Sequence, residues 1–179
     1  MDTSRVPVND AIAEMEIPVA RDLFLRNLVS ELAGALEEVI GLDEAAGFIS
    51  IVGQRIGDWM NAEYRSACAC DALPEEQLSA VLVDLKRRIQ GDFYVISEDK
   101  DKIVMGNRRC PFESQVRGHP SMCMMTSNVF GTVTAENLGY AKVSVREAIA
   151  QGANECRVVV YKRRCEDAEQ DSGQEYYKS

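Results

Sequence analysis

Residues 91–106, Gly-Asp-Phe-Tyr-Val-Ile-Ser-Glu-Asp-Lys-Asp-Lys-Ile-Val-Met-Gly, mark the point where the chain changes its hydrophobic period. Two short apolar runs flank the charged turn Glu98-Asp99-Lys100-Asp101, which predicts a hairpin with strands over 92–97 and 102–106. Upstream, apolar residues recur at helical spacing. Leu25, Leu28, Val29, Leu32, Leu36, Val39 and Ile40 predict a helix over 19–40 that stops at Gly41. Phe48, Ile49, Val52, Ile56, Trp59 and Met60 predict a second from Asp43 to about Tyr64. Gly53 and Gly57 lie one turn apart on it, a smooth strip that suits either helix packing inside the chain or a dimer face. A cysteine-bearing loop (66–73) leads to Pro74 and a third helix over 75–90 ending in Lys86, Arg87 and Arg88.

Downstream of the hairpin, a loop over 107–120 leads into a helix over 121–137. Strands over 140–147 and 156–161 follow, the first alternating Ala141, Val143 and Val145. Residues 166–179 are acidic and poor in apolar side chains, so a disordered tail is expected there. The domain division is then a flexible N-terminus (1–17), one folded domain (18–165) and the tail. The fold class is α+β: N-terminal helices packed on an antiparallel sheet with an inserted helix.

Composition excludes several functions. The chain has 179 residues, 46% hydrophobic and 27% charged, with a net charge of −9. That balance disfavours nucleic-acid binding through a basic surface. No apolar run approaches the ~20 residues of a membrane span, and no basic-then-apolar signal opens the sequence, so the expected location is the cytoplasm. A single histidine rules out zinc sites built on two or three imidazoles. Walker, GxGxxG and HExxH motifs are absent from the sequence.

Six cysteines without an export signal read as metal ligands, redox groups or buried small side chains rather than disulfides. Cys110 follows a strand, Cys123 falls in the first turn of a helix and Cys156 opens the last strand. If that strand pairs beside the hairpin, the three sulfurs meet at one end of the sheet. Three thiolates with a fourth ligand (His119, Glu155 or a water) make a zinc set, and three or four thiolates also hold an iron–sulfur cluster. The plainer reading is that buried cysteines fill space. Cys68, Cys70 and Cys165 read as incidental thiols, and the run Met122, Met124 and Met125 reads as core that also suits an irregular apolar pocket.

The runs Asn-Arg-Arg-Cys-Pro-Phe (107–112), Pro-Ser-Met-Cys-Met-Met-Thr-Ser-Asn-Val-Phe-Gly (120–131), Asn-Leu-Gly-Tyr-Ala-Lys-Val (137–143) and Ile-Ala-Gln-Gly-Ala-Asn-Glu-Cys-Arg-Val-Val-Val-Tyr (149–161) resemble the methanogen output domain family. More distantly they resemble 4-vinyl-reductase-type small-molecule-binding domains. The helix Phe-Ile-Ser-Ile-Val-Gly-Gln-Arg-Ile-Gly-Asp-Trp-Met (48–60) fits the same likeness, which covers about residues 20–163. The resemblance implies a sensory or output module in signal transduction or transcriptional control, dimeric through its N-terminal helices. It implies a cysteine cluster that binds zinc or responds to redox state, carried here by Cys110, Cys123 and Cys156, with His119 by proximity only. The resemblance also implies a nearby apolar pocket that takes the effector. No DNA-binding, kinase or ATPase segment accompanies the domain, so a separate signalling or transcription partner is expected.

The leading expectation is therefore a non-enzymatic regulatory module with a cysteine-held metal. The alternatives are an enzyme or tetrapyrrole-handling accessory protein of the 4-vinyl reductase type, and a metal-free cysteine redox switch.

Overall fold

A computed structural model describes residues 16–17 and 20–179. The expected flexible N-terminus falls almost entirely outside the described residues. Helix α1 (Arg21–Ile40) and helix α2 (Leu42–Cys68) form a hairpin turned at Gly41, whose φ of 88° suits a residue without Cβ. A short 3₁₀ turn precedes α3 (Leu78–Arg88). Strands β1 (Phe93–Glu98) and β2 (Lys102–Asn107) form the expected hairpin. Helix α4 (Cys123–Leu138) is inserted before β3 (Tyr140–Glu147) and β4 (Cys156–Tyr161). With a fifth strand, β5 (Gln174–Tyr177), the sheet is antiparallel throughout, in the order β1-β2-β4-β3-β5.

The fifth strand corrects the expectation of a disordered tail. Residues 166–179 form α5 (Glu166–Gln170) and β5 (Gln174–Tyr177), which pairs with β3. Composition misled because the segment's few apolar side chains are well used: Ala168 and Tyr176 are both buried. Its acidic residues also meet basic partners on the body of the domain, Asp167 with Lys102, Asp171 with Arg146 and Glu175 with Arg164.

The main core lies between the sheet and the helices. Ile103, Met105, Val143, Val158 and Val160 face Leu82 and Leu85 of α3 and Phe130 and Val133 of α4. On β4 the side chains alternate, as period two demands: Val159 and Tyr161 point to the other face, where α5 lays Ala168 over them. Helix α2 packs on α4 along the Gly53–Gly57 strip. A Cβ at either glycine would stand 2.8 Å from the Cβ of Asn128 or Thr132, so the smooth face serves packing within the chain.

Candidate functional site

The three singled-out cysteines line one small cavity. Cys156, the first residue of β4, is paired with Asn107, the last residue of β2. Three residues beyond Asn107, the chain reaches Cys110, held in place by backbone bonds between Asp92 and both Arg108 and Arg109. Cys123 begins α4, after a 3₁₀ turn over Pro120–Met122. All three thiols line one cavity of about 30 Å³, room for roughly one water, with Phe93, Phe112, Thr126 and Val158 among its other walls.

The sulfurs differ in surroundings. Cys156 Sγ accepts the Ile149 N–H at 3.4 Å and Asn107 Nδ2 at 3.7 Å. Burial pushes the Cys110 thiol up from its ordinary pKa. It pushes Cys123 up to about 12, with the other two sulfurs adding to the rise. As the side chains stand, no three His, Cys, Asp or Glu groups among the described residues are close enough together to hold a metal ion. The donor chemistry suits a soft divalent ion, and rotation of the thiols would have to draw the sulfurs together.

His119 is not among the residues lining this cavity. Its Nδ1 lies 3.1 Å from Glu37 Oε2, while Glu37 Oε1 accepts the Ser121 N–H at 3.1 Å. Burial raises the Glu37 carboxyl, but hydrogen bonds from Ser121 and His119 outweigh it and hold the pKa below the usual value. This pair ties α1 to the start of the inserted helix. Glu155 is engaged by the Tyr94 hydroxyl at 2.7 Å. Cys68 is exposed at the end of α2, and Cys165 packs under the α5 cluster.

Lys86 is the residue that sequence reading missed. Its position near the end of α3 suggested a cation complementing the helix dipole. In the structure it is buried, its Nζ donating to Thr126 Oγ1 at 2.9 Å and lying 5.5 and 5.2 Å from the Phe93 and Phe130 ring centroids. Burial lowers its pKa to about 8, and the three cysteines partly oppose that fall. A signal was present: Leu78, Leu82 and Lys86 succeed one another at intervals of four, so position 86 falls on the apolar stripe.

A second cavity, of about 250 Å³, lies between α1, α2 and the start of α4. Val29, Leu32, Ala33, Val52, Met122 and Met125 are among its walls, and every lining side chain is apolar. Met122 and Phe112 separate it from the cysteine cavity, since both line each one.

No helix among the described residues is long and apolar enough to cross a membrane. No curated protein matches the sequence. The fold is similar to that of the phenol-responsive sensory domain of the transcription activator PoxR with phenol, with a TM-score of 0.62 at 15% identity over 87% of this chain and 82% of that one. It is also similar to a trafficking protein particle complex subunit 3 from Naegleria fowleri covalently bound to palmitic acid, with a TM-score of 0.54 at 11% identity over 87% and 99% of the two chains. Those identities make the likeness one of fold. The family model for methanogen output domain 1 matches residues 28–161, and the chain belongs to that family.

Proposed function

We propose that this chain is a sensory and regulatory module in which Cys110, Cys123 and Cys156 hold a divalent metal ion, zinc in the first instance, beside a pocket for a small apolar effector. The observation that carries the metal reading is the convergence of three thiols, from three separate elements, on one cavity. With His119 paired to Glu37, water is the fourth ligand. Bound zinc would supply a clamp joining the β2 end, the start of α4 and the start of β4. Metal analysis and an absorption spectrum on protein purified anaerobically without chelator test this. About one zinc per chain and a colourless solution are expected. Serine at any of the three cysteines should lower metal content, whereas His119→Ala should leave it unchanged. Iron with visible absorption would replace zinc by a cluster, and protein without metal would overturn the reading in favour of a metal-free thiol switch.

The all-apolar pocket supports the effector half of the proposal, as does a fold shared with a phenol-responsive sensory domain and with a subunit carrying palmitic acid. A wall without donors or acceptors favours a hydrocarbon ring or chain over a polar molecule, whose groups would be left unpaired. Small aromatic and aliphatic compounds are expected to raise the melting temperature of the protein. Val52→Trp, at a half-exposed position on the pocket wall, should suppress the shift at little cost to stability. A panel that produces no shift overturns the effector reading.

The same helices offer a homodimer face. Phe24, Leu25, Leu28 and Leu32 of α1 and Phe48, Ile51 and Trp59 of α2 are exposed along it. Effector binding beneath that face would then alter how the module meets its copy or a separate signalling or transcription partner.

A further inference from the structure

Helix α2 outruns the helix it packs on. Gly53 lies against Asn128 and Gly57 against Thr132, so α2 and α4 run parallel and in step, and Asn61 stands level with Glu136 and Asn137. Helix α4 ends at Leu138, whereas α2 continues to Cys68, about two turns further. The space left between them and the turn over 69–71 is a cavity of about 620 Å³, with Asp58, Asn61, Arg65, Ser66, Asp71 and Glu136 among its walls. Asn61 is built into that wall. It is 4% exposed, and a chain of bonds fixes its orientation: the Leu73 N–H donates to Asn137 Oδ1 at 2.7 Å, and Asn137 Nδ2 donates to Asn61 Oδ1 at 2.7 Å. Asn61 Nδ2 is thereby turned away from Asn137 and has no hydrogen-bond partner among the described residues. Nor is it one of the nitrogens sealed in the interior, so it opens on the cavity that the residue lines. The charges around it are largely unspent. Asp58 and Arg65 have no ion-pair partner among the described residues, and Glu136 gives one oxygen to the Ser179 N–H at 2.9 Å. No basic side chain stands in the last turn of α4. Asp58, Glu136 and the carbonyl end of α4 therefore make one side of the cavity negative. Partial burial and the charge of Glu136 raise the Asp58 carboxyl above its usual pKa, as two carboxylates do with no cation between them.

We infer that this cavity binds a small zwitterion, a molecule carrying the ammonium and carboxylate of an amino acid. Asp58, Asn61 and Arg65 succeed one another at intervals of three and four, so they share one face of α2. The ammonium lies between Asp58 and Glu136. The carboxylate accepts from Asn61 Nδ2 and from the Arg65 guanidinium one turn further on. A bare cation would leave both of those donors unmatched, and a bare anion would meet two carboxylates. No residue of this cavity lines the cysteine cavity or the apolar pocket, so the site is independent of the metal and effector readings.

Isothermal titration calorimetry of the full chain with the common amino acids as probes tests this. For the amino acid that binds most tightly, N-acetylation removes the ammonium charge, and conversion to the methyl amide removes the carboxylate charge. Each should weaken binding by about tenfold or more, the effect of losing a charge-assisted hydrogen bond. Asp58→Asn should weaken the amino acid to the same extent. Asn61→Asp keeps an acceptor for Asn137 and turns the outward donor into a carboxylate. It should weaken the amino acid by about tenfold or more while leaving the methyl amide no weaker. Should Asn61→Asp fail to fold, Arg65→Gln takes its place with the same expected split between amino acid and amide. The inference is overturned if no amino acid gives a heat of binding, or if the amide or the N-acetyl derivative binds as tightly as the parent. Unchanged affinity in Asp58→Asn and in Asn61→Asp (or Arg65→Gln) would place the binding elsewhere and overturn it equally.

Discussion

Tyr176→Ala is expected to cost about 3–5 kcal/mol of folding stability, a large-to-small change in the core, although only three residues follow it in the sequence. The ring of Tyr176 occupies the space a side chain at Gly131 would need, since a Cβ there would lie 2.1 Å from a ring carbon. Its hydroxyl is hydrogen-bonded to Ser127 at 2.9 Å, and burial pushes its pKa up to about 12. Removing the ring leaves a cavity against α4 and detaches β5 from β3. Detachment has further consequences, because Lys142 Nζ donates to the Ala168 carbonyl at 2.6 Å and would lose its acceptor if α5 left with the strand. Tyr176→Phe keeps the ring and removes only the hydroxyl, so it should cost about 1 kcal/mol. Urea unfolding of the two variants separates these contributions. A loss below 1 kcal/mol for the alanine variant would show that residues 166–179 contribute little to the folded domain.

The tail also shows where sequence reading stops. Helix and strand spacing in 19–161 carries its own periodic evidence, and the structure follows it: three helices, the hairpin around 99–101, an inserted helix and a second strand pair. The last 14 residues contain too few apolar positions for any period to emerge. Their order comes from tertiary matches, one ring placed over one glycine and three acidic side chains placed on three basic ones, and none of these is local in sequence. The candidate site divides in the same way. Cys156 opens β4 and goes where strand pairing takes it, beside Asn107 at the end of β2, while Cys110 in the turn after β2 and Cys123 at the start of α4 line the same cavity. Lys86 escaped because its partner, Thr126, lies 40 residues away on another helix. Proximity in sequence also gave His119 as a fourth ligand, whereas the fold brings it to Glu37 of α1, which no local pattern announces.

Substituting both Leu28 and Ile51 by Glu is expected to convert a dimer of this chain into a monomer, weakening self-association by at least about 100-fold. Both residues are exposed, at 43% and 52%, on the outer faces of α1 and α2, and neither lines the effector cavity. With Phe24, Leu25 and Leu32 of α1 and Phe48 and Trp59 of α2 they make up a set of large exposed apolar side chains, which on α1 runs over about 12 Å of helix, and clustered apolar exposure of this kind marks an interaction surface. Covering a side chain that is about half exposed contributes about half of the 1.5–3 kcal/mol of full burial, so losing two of them in each subunit, about 3–6 kcal/mol in all, exceeds the roughly 2.7 kcal/mol that a 100-fold change requires. Facing carboxylates add repulsion and a desolvation cost. Sedimentation velocity across a concentration series gives the readout. Metal content should persist, since neither residue lines the cysteine cavity, whereas the melting response to apolar compounds should shrink without vanishing, because the pocket remains but no second copy closes it. A dimer that survives the substitutions, or an unsubstituted protein that is monomeric at every concentration, would overturn the assignment of this face. The location also links the two halves of the proposed function. Val29, Leu32 and Val52 belong both to the exposed surface and to the pocket wall. A second copy docked there would close over the pocket, and a bound effector would in turn change the surface the copy meets, so the two binding events must be thermodynamically coupled.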